Sequence, residues 1–157
     1  MKGQGTVKGI LVTGDDGQEY LLGFEPTRPV PTPTLSRRTA DGRFEAYTRA
    51  GSAATNVEAA ALAARLESEG AGEILITSID RDGTLAGYDL ELVRQVAAAV
   101  RIPVIASGGA CSYADFEAAL REAGASAVAA SAMFQFTQQT PLGAKQYLRE
   151  RGVPVRL

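Results

Sequence analysis

The second half of the chain predicts an α/β fold built from parallel βαβ units, and two observations support this prediction. From residue 55 onward, short apolar runs alternate with longer amphipathic segments, a pattern typical of strands joined by crossover helices. Glycines and small polar residues follow the apolar runs, at the edge where parallel α/β folds bind their ligands. The fold class therefore points to ligand binding at the carboxyl ends of the strands.

The first half predicts antiparallel strands instead. Segments 6–12 and 20–24 are rich in β-branched, aliphatic and aromatic residues, and the turn residues 14–17 between them predict a hairpin. Four prolines in residues 25–33 forbid a helix, so this segment is expected to be extended. Two domains follow: a hairpin with its Pro-rich segment over residues 1–35, and the α/β unit over residues 36–157.

Each element of the α/β unit has its own signal. A second hairpin is expected to turn at Asp41-Gly42. Thr55 and Glu58 have capping-box spacing, which predicts a helix running to about Glu69. An apolar run over residues 73–79 predicts a strand buried on both faces. The remaining elements are expected to be helices over 90–100, 113–123 and 141–151 and strands over 103–106 and 126–130.

Composition restricts the function. The net charge is −2 and 22% of residues are charged, so we expect neither a nucleic-acid partner nor a membrane surface. No apolar run reaches the roughly 18 residues of a membrane-spanning helix. Cys111 is the single cysteine, which fits a cytoplasmic location. The chain has no histidine, so acid–base chemistry falls to other side chains; we expect no metal site and no cofactor.

Two of the strand-end loops predict an anion site. Ser107, Gly108 and Gly109 follow one predicted strand, and Ala130 and Ser131 follow the next. Glycines let backbone N–H groups approach an anion closely, so these loops are expected to bind the phosphate group of a small molecule. The alternative is that the glycines serve tight turns only.

Asp80 and Asp82 follow the first of these strands. In an extended chain, residues two apart face the same side, and neighbouring like charges can raise one carboxyl pKa into a catalytic range. The alternative is an ordinary polar loop in which Asp80 pairs with Arg81 or a backbone N–H group.

Longer motifs indicate a family. Residues 70–84 read GAGEILITSIDRDGT, and GYD follows at 87–89. Residues 102–110 read IPVIASGGA, and later runs include AAS at 129–131, KQYL at 145–148 and GVPVR at 152–156. Over roughly residues 36–157 the chain resembles the cyclase subunit of imidazole glycerol phosphate synthase. Since a complete (βα)8 barrel needs about 250 residues, the resemblance implies the C-terminal half of such a barrel, preceded by a β-hairpin extension.

The resemblance also implies roles for individual residues. Members of that family act in histidine biosynthesis as lyase-type cyclases, closing a ring on a phosphorylated substrate with ammonia from a glutaminase partner. Asp82 matches the family's catalytic acid in this half, with Asp80 in support, and Glu73 matches a charged position at the ammonia entrance. Similar enzymes of surface-sugar biosynthesis also use ammonia. The positions that match one phosphate site are Thr77, Gly83, Ser107, Gly108, Gly109, Ala130 and Ser131.

The departures from the family pattern limit the expected activity. The family's other catalytic aspartate, on its first strand, has no equivalent, and Leu35 lies near the position of an expected aspartate. Cys111 replaces an expected glycine. We therefore expect weak or absent cyclase activity from the chain alone, the alternative being a non-enzymatic phosphate binder or scaffold. A half-barrel leaves edges and an apolar face open, so self-association is expected, most simply as a homodimer that closes an eight-stranded barrel from two copies, or as a higher homo-oligomer.

Overall fold

The computed structural model describes residues 34–155 and two earlier strands, β1 (Lys8–Thr13) and β2 (Glu19–Phe24). These two strands pair antiparallel, with Lys8 opposite Phe24 and Thr13 opposite Glu19, which confirms the predicted N-terminal hairpin. The predicted turn at residues 14–17 and the Pro-rich segment 25–33 lie outside the described residues.

A six-stranded sheet forms the centre of the α/β unit, in the order β5-β4-β3-β6-β7-β8. Strands β3, β6, β7 and β8 are parallel, as the βαβ pattern predicted, and β4 and β5 extend the sheet antiparallel beside β3. The sheet does not close, and this is the fold of a half-barrel. The strands are β3 (Thr34–Arg38), β4 (Phe44–Thr48), β5 (Ala53–Glu58), β6 (Ile74–Ser78), β7 (Val104–Ser107) and β8 (Ala127–Val128).

At several of the described helix N-termini, a side chain accepts a hydrogen bond from a backbone N–H group of the first turn. Asp89 accepts from the N–H of Leu92 (3.2 Å), and Ser112 forms a capping box with Asp115. Thr140 accepts from the N–H of Gly143 (3.0 Å). Only the short helix after β8 was not predicted. The helices are α1 (Ala59–Ser68), α2 (Leu90–Ala99), α3 (Tyr113–Arg121), α4 (Ala132–Phe136) and α5 (Pro141–Glu150).

The predicted capping box at Thr55 and Glu58 is wrong. Both residues lie in β5, where the Thr55 hydroxyl donates to the carbonyl of Ala46 (2.7 Å). Helix α1 begins only at Ala59, and no side chain caps it. The spacing of a capping box is present, but the backbone of this segment pairs with β4 and therefore does not begin a helix. The predicted end of the helix is confirmed, since Gly70 has a positive φ and its N–H bonds the carbonyl of Glu67 (2.9 Å).

Within residues 34–155, only one face of the sheet is covered. Ile74, Ile76, Val104 and Ala106 are buried against the helices, whereas the alternate residues of the same strands are half-exposed. The prediction that the 73–79 strand is buried on both faces is therefore wrong, because no second layer covers the other face within the described residues. On this open face, register aligns an apolar row of Leu75, Ile105 and Ala127.

The edges of the sheet are β5 and β8 in the described part of the chain. From Leu35 to Arg38, strand β3 is bordered by β4 on one side, and β6 pairs with it from Thr34 to Ser36 on the other. A continuous ladder to a further strand could therefore not form at β3 along this stretch without displacing β4. Among the described helices, none has the length and apolar character required to cross a membrane.

Gly109 is the point where the loop after β7 touches the loop after β6. Its φ is +100°, and its carbonyl accepts from the N–H of Gly87 (2.8 Å). A Cβ at this position would collide with the carbonyl oxygen of Gly87 and would lie 2.7 Å from the Cβ of Arg81. The contact tolerates only a glycine, because the neighbours are backbone and Cβ atoms that cannot swing away.

We expect Gly109→Ala to lower the free energy of unfolding more than Gly42→Ala. Both residues have a positive φ, which costs alanine about 1–2 kcal/mol. Only Gly109 also meets a steric collision, worth a further ~1–3 kcal/mol, whereas a Cβ on Gly42 has nothing within 4 Å. Urea unfolding of the two variants measures the difference, and equal losses would contradict the close approach.

Candidate functional site

Apart from Glu73, the predicted site residues lie together at the carboxyl ends of β6, β7 and β8. Thr77 and Ser107 are register partners on neighbouring parallel strands, and Leu35 is the partner of Thr77 on the other side. All three side chains are half-buried and belong to the open face. The structure therefore brings together the ends of three strands that are far apart in sequence.

The loop after β7 turns back sharply through two buried glycines. Gly108 and Gly109 have φ values of +85° and +100°, which side-chain-bearing residues rarely adopt. A Cβ on Gly108 would lie 3.0 Å from the carbonyl oxygen of Ser78, so packing alone favours glycine there. Among the residues that the structure describes, neither glycine N–H has a hydrogen-bond acceptor. The tight turn thus leaves two donors unused.

The loop after β8 adds two more donors. The N–H of Ala129 still continues the ladder to the carbonyl of Ala106 (2.8 Å), but the N–H groups of Ala130 and Ser131 have no acceptor in residues 34–155. Ser131 is exposed and precedes α4, and its hydroxyl does not cap that helix. We call the backbone N–H groups of Gly108, Gly109, Ala130 and Ser131, together with the Ser131 hydroxyl, the donor cup.

The loop after β6 is attached to both halves of the donor cup. The N–H of Gly87 donates to the carbonyl of Gly109 (2.8 Å). The hydroxyl of the next residue, Tyr88, donates to the carbonyl of Ala129 (2.8 Å). Burial raises the pKa of the Tyr88 phenol, so it remains a protonated donor at physiological pH.

Both carboxylate oxygens of Asp80 have partners on β3. One of its oxygens accepts from the N–H of Arg38 (2.9 Å), and the other lies 3.2 Å from Nε of Arg37. The expectation that Asp80 and Asp82 leave the strand extended and face one side is wrong. Residues 79–83 form a turn instead, in which the N–H of Asp82 bonds the carbonyl of Ser78 (2.9 Å). Asp80 therefore joins the end of β3 to this turn.

Asp82 is the free carboxylate of the turn. Its side chain is exposed and forms no hydrogen bond or ion pair with another described residue. Gly83 follows it in the exposed turn with a φ of +74°. This arrangement leaves the Asp82 carboxylate open to solvent.

Leu35 provides no second carboxylate. It lies on the open face next to Thr77, where the family pattern led us to expect an aspartate. The nearest charged group of the same strand on this face is Arg37, whose guanidinium also lies 5.3 Å from the centre of the Tyr47 ring. The open face thus carries a cation and a leucine rather than a pair of acids.

Glu73 lies at the opposite end of β6. It precedes the strand, is exposed, and has no ion-pair partner within residues 34–155. The five residues of β6 separate it from Asp80 and Asp82 by about 16 Å. It is therefore remote from the donor cup, at the amino-terminal edge of the sheet.

A cleft of about 490 Å³ runs beside the loop after β6, on the helix side of the sheet. It contains three arginines, but Arg38 lies 3.6 Å from Asp89, and Arg94 donates to Glu91 (2.7 Å). Their charge is thus partly neutralised by neighbouring carboxylates. Arg81 turns back to the carbonyl of Ala86 (2.8 Å).

Sequence reasoning missed Tyr88. For Asp80 it offered a backbone N–H partner as the alternative to catalysis, and the bond from the N–H of Arg38 confirms that alternative. Tyr88 was visible in the GYD motif, but only its neighbour Asp89 had an evident structural role, as a helix cap. Nothing in the sequence spacing indicated that the hydroxyl of Tyr88 reaches a carbonyl 41 residues later. The partners of Asp80 depend on how β3 and β6 pair, which a local pattern does not reveal.

Comparison with known protein families agrees with this architecture. Residues 35–139 match the family model described as "Histidine biosynthesis protein". The matched region spans more than half of the chain and includes the ends of β6, β7 and β8 with their three loops. The chain therefore belongs to the histidine biosynthesis protein family of α/β barrels.

Proposed function

We propose that the chain binds the phosphate group of a phosphorylated, ribose-type small molecule at the donor cup. The observation that supports this most strongly is the set of four N–H groups at the ends of β7 and β8 that lack acceptors in the described residues. Buried backbone donors are almost always paired in proteins, so the unpaired N–H groups of the buried Gly108 and Gly109, beside a ligand-binding edge, favour an acceptor from outside the chain. A phosphate offers several such oxygens.

The family and the loops together favour descent from the cyclase subunit of imidazole glycerol phosphate synthase, with weak or absent cyclase activity in the single chain. General acid–base chemistry of this kind needs two positioned groups. Asp82 is available as the acid, whereas the family's other catalytic aspartate, on its first strand, has no equivalent in this sequence, and Leu35 lies near the position of a further expected aspartate. Asp80 does not substitute for it, because its oxygens are used by Arg37 and Arg38.

Three alternatives can be distinguished from weak cyclase activity by experiment. A non-enzymatic phosphate binder or scaffold would show binding without turnover. An ammonia-using synthase of a surface-sugar pathway, or an active cyclase, would show ammonia-dependent turnover that disappears in Asp82→Asn. A glutaminase partner would use the end of the sheet where Glu73 lies, and co-purification that fails in Glu73→Ala would support it.

We also propose that two copies associate through the open face. Leu75 and Ile105 form an apolar row there, and no described element covers it. A homodimer would bury this row and would bring a second Asp82 to the same edge of the assembly. Strand β4 already occupies the side of β3 to which a second copy would have to add its strand. We therefore propose that the two copies touch through their open faces and do not extend the sheet at β3.

Phosphate binding is tested by calorimetric titration with ribose 5-phosphate. We expect one site per chain, and we expect Ser131→Asp to weaken binding at least ~10-fold, because a carboxylate would repel the anion at close range. Ser126→Asp is the matched control, since Ser126 is exposed and precedes β8 at the opposite edge of the sheet. It adds the same charge and should bind like the unmodified chain.

Two results of the titrations would contradict the proposal. Equal weakening in both variants would show that net charge rather than the donor cup governs binding. Absence of binding by the unmodified chain would overturn the proposed function and leave the glycines with a turn-forming role alone.

Self-association is tested by light scattering across a range of concentrations. We expect a mass of twice the 16.4 kDa of one chain, and a return towards one chain in Leu75→Glu, which places a charge in the apolar row. Ala98→Glu, on the exposed side of α2, is the control and should keep the mass of the unmodified protein. A single-chain mass at every concentration would contradict the proposal.

A further inference from the structure

The loop after β6 contacts both halves of the donor cup through two consecutive residues. The N–H of Gly87 bonds the carbonyl of Gly109, and the hydroxyl of Tyr88 bonds the carbonyl of Ala129, both at 2.8 Å. Residues 87 and 88 therefore connect the loop after β7 to the loop after β8. No other pair of consecutive residues in the described chain bonds both loops.

The hydrogen bond from Tyr88 to Ala129 also determines the direction of the next backbone N–H group, that of Ala130. In a planar trans peptide, the carbonyl of one residue and the N–H of the following residue point in opposite directions. The Tyr88 hydroxyl fixes the carbonyl of Ala129, so it also fixes the direction of the Ala130 N–H, which must point away from Tyr88. That N–H is one of the four donors of the cup.

The hydroxyl itself is held in place by packing. Tyr88 is only 5% exposed, and its ring lies 6.1 Å from the ring of Phe116. Phe116 in turn packs edge-on against Phe134 of α4, with ring centres 6.1 Å apart. The same aromatic cluster therefore positions both the hydroxyl that holds Ala129 and the short helix that follows Ser131.

We propose that Tyr88 is a positioning residue for the anion site: by holding the Ala129 carbonyl, its hydroxyl directs the Ala130 N–H towards the bound phosphate. This inference rests on the proposed function, because it assigns a role within the same donor cup. Tyr88 does not touch the anion. It acts through the Ala129–Ala130 peptide.

A purely structural Tyr88 would stabilise the fold without affecting the anion, and Tyr113 allows the two roles to be separated. Tyr113 belongs to the same aromatic cluster, with its ring 6.5 Å from that of Phe116. Its hydroxyl also serves backbone groups, accepting from the N–H of Thr140 (2.8 Å) and donating to the carbonyl of the same residue (3.2 Å). Thr140 begins α5 and contributes nothing to the donor cup.

The test compares Tyr88→Phe with Tyr113→Phe in calorimetric titrations with inorganic phosphate and in urea unfolding. Each variant deletes one hydroxyl that serves the backbone, so both should lose stability. We expect only Tyr88→Phe to lose phosphate affinity, by about 3–10-fold, the effect of one hydrogen bond's orientation. Equal affinity losses in the two variants, or none in Tyr88→Phe, would overturn the inference.

A second measurement uses the unmodified protein, so it does not depend on whether Tyr88→Phe folds. Phosphate should slow hydrogen exchange of the Ala130 amide at least ~10-fold more than that of the Ser126 amide, which bonds the carbonyl of Val104 instead. Unchanged exchange at Ala130, with phosphate bound, would overturn the inference alone. No phosphate binding at all would instead overturn the proposed function on which it rests.

Discussion

The hydrogen bond between the N–H of Gly87 and the carbonyl of Gly109 joins two loops, and the geometry of the candidate site depends on it. It forms only because Gly109 has no side chain, since a Cβ there would collide with Gly87. The N–H of the same residue has no acceptor in the described residues. Gly109 thus both allows the close packing of the two loops and carries one of the donors of the cup.

The candidate site is open because, in the described residues, helices cover only one face of the sheet. The helices cover the face of the sheet that carries Ile76 and Val104, and they leave the face that carries Leu75, Thr77 and Ser107 half-exposed. In a closed barrel this second face would line the interior, and residues from the opposite strands would complete the chemistry. Within residues 34–155 the donors follow β7 and β8, and Asp82 is the one carboxylate without a partner in the loop after β6.

Much of the fold could be predicted from local patterns. The helices α2, α3 and α5 follow from amphipathic periodicity with clear start signals, and β6 and β7 follow from their apolar runs. Thr55 and Glu58 misled because capping spacing also occurs in strands, and only pairing with β4 decides between the two structures. The small residues at the strand ends predicted the members of the donor cup. That their N–H groups lack acceptors among the described residues can be seen only in the three-dimensional structure. The backbone N–H partner of Asp80 was one of the two readings of the sequence, but the identity of that partner and the role of Tyr88 could not be predicted, because the groups involved lie about 40 residues away.

We propose that a phosphate binds the backbone donors at the ends of β7 and β8 that lack acceptors in the described residues. An amide-resolved nuclear magnetic resonance titration with inorganic phosphate tests this directly. We expect the largest shifts at the amides of Gly108, Gly109, Ala130 and Ser131, with saturation at one phosphate per chain. Shifts concentrated instead at the arginine-lined cleft around Arg81 and Arg94 would contradict it, because binding would then follow the guanidinium groups rather than the donor cup.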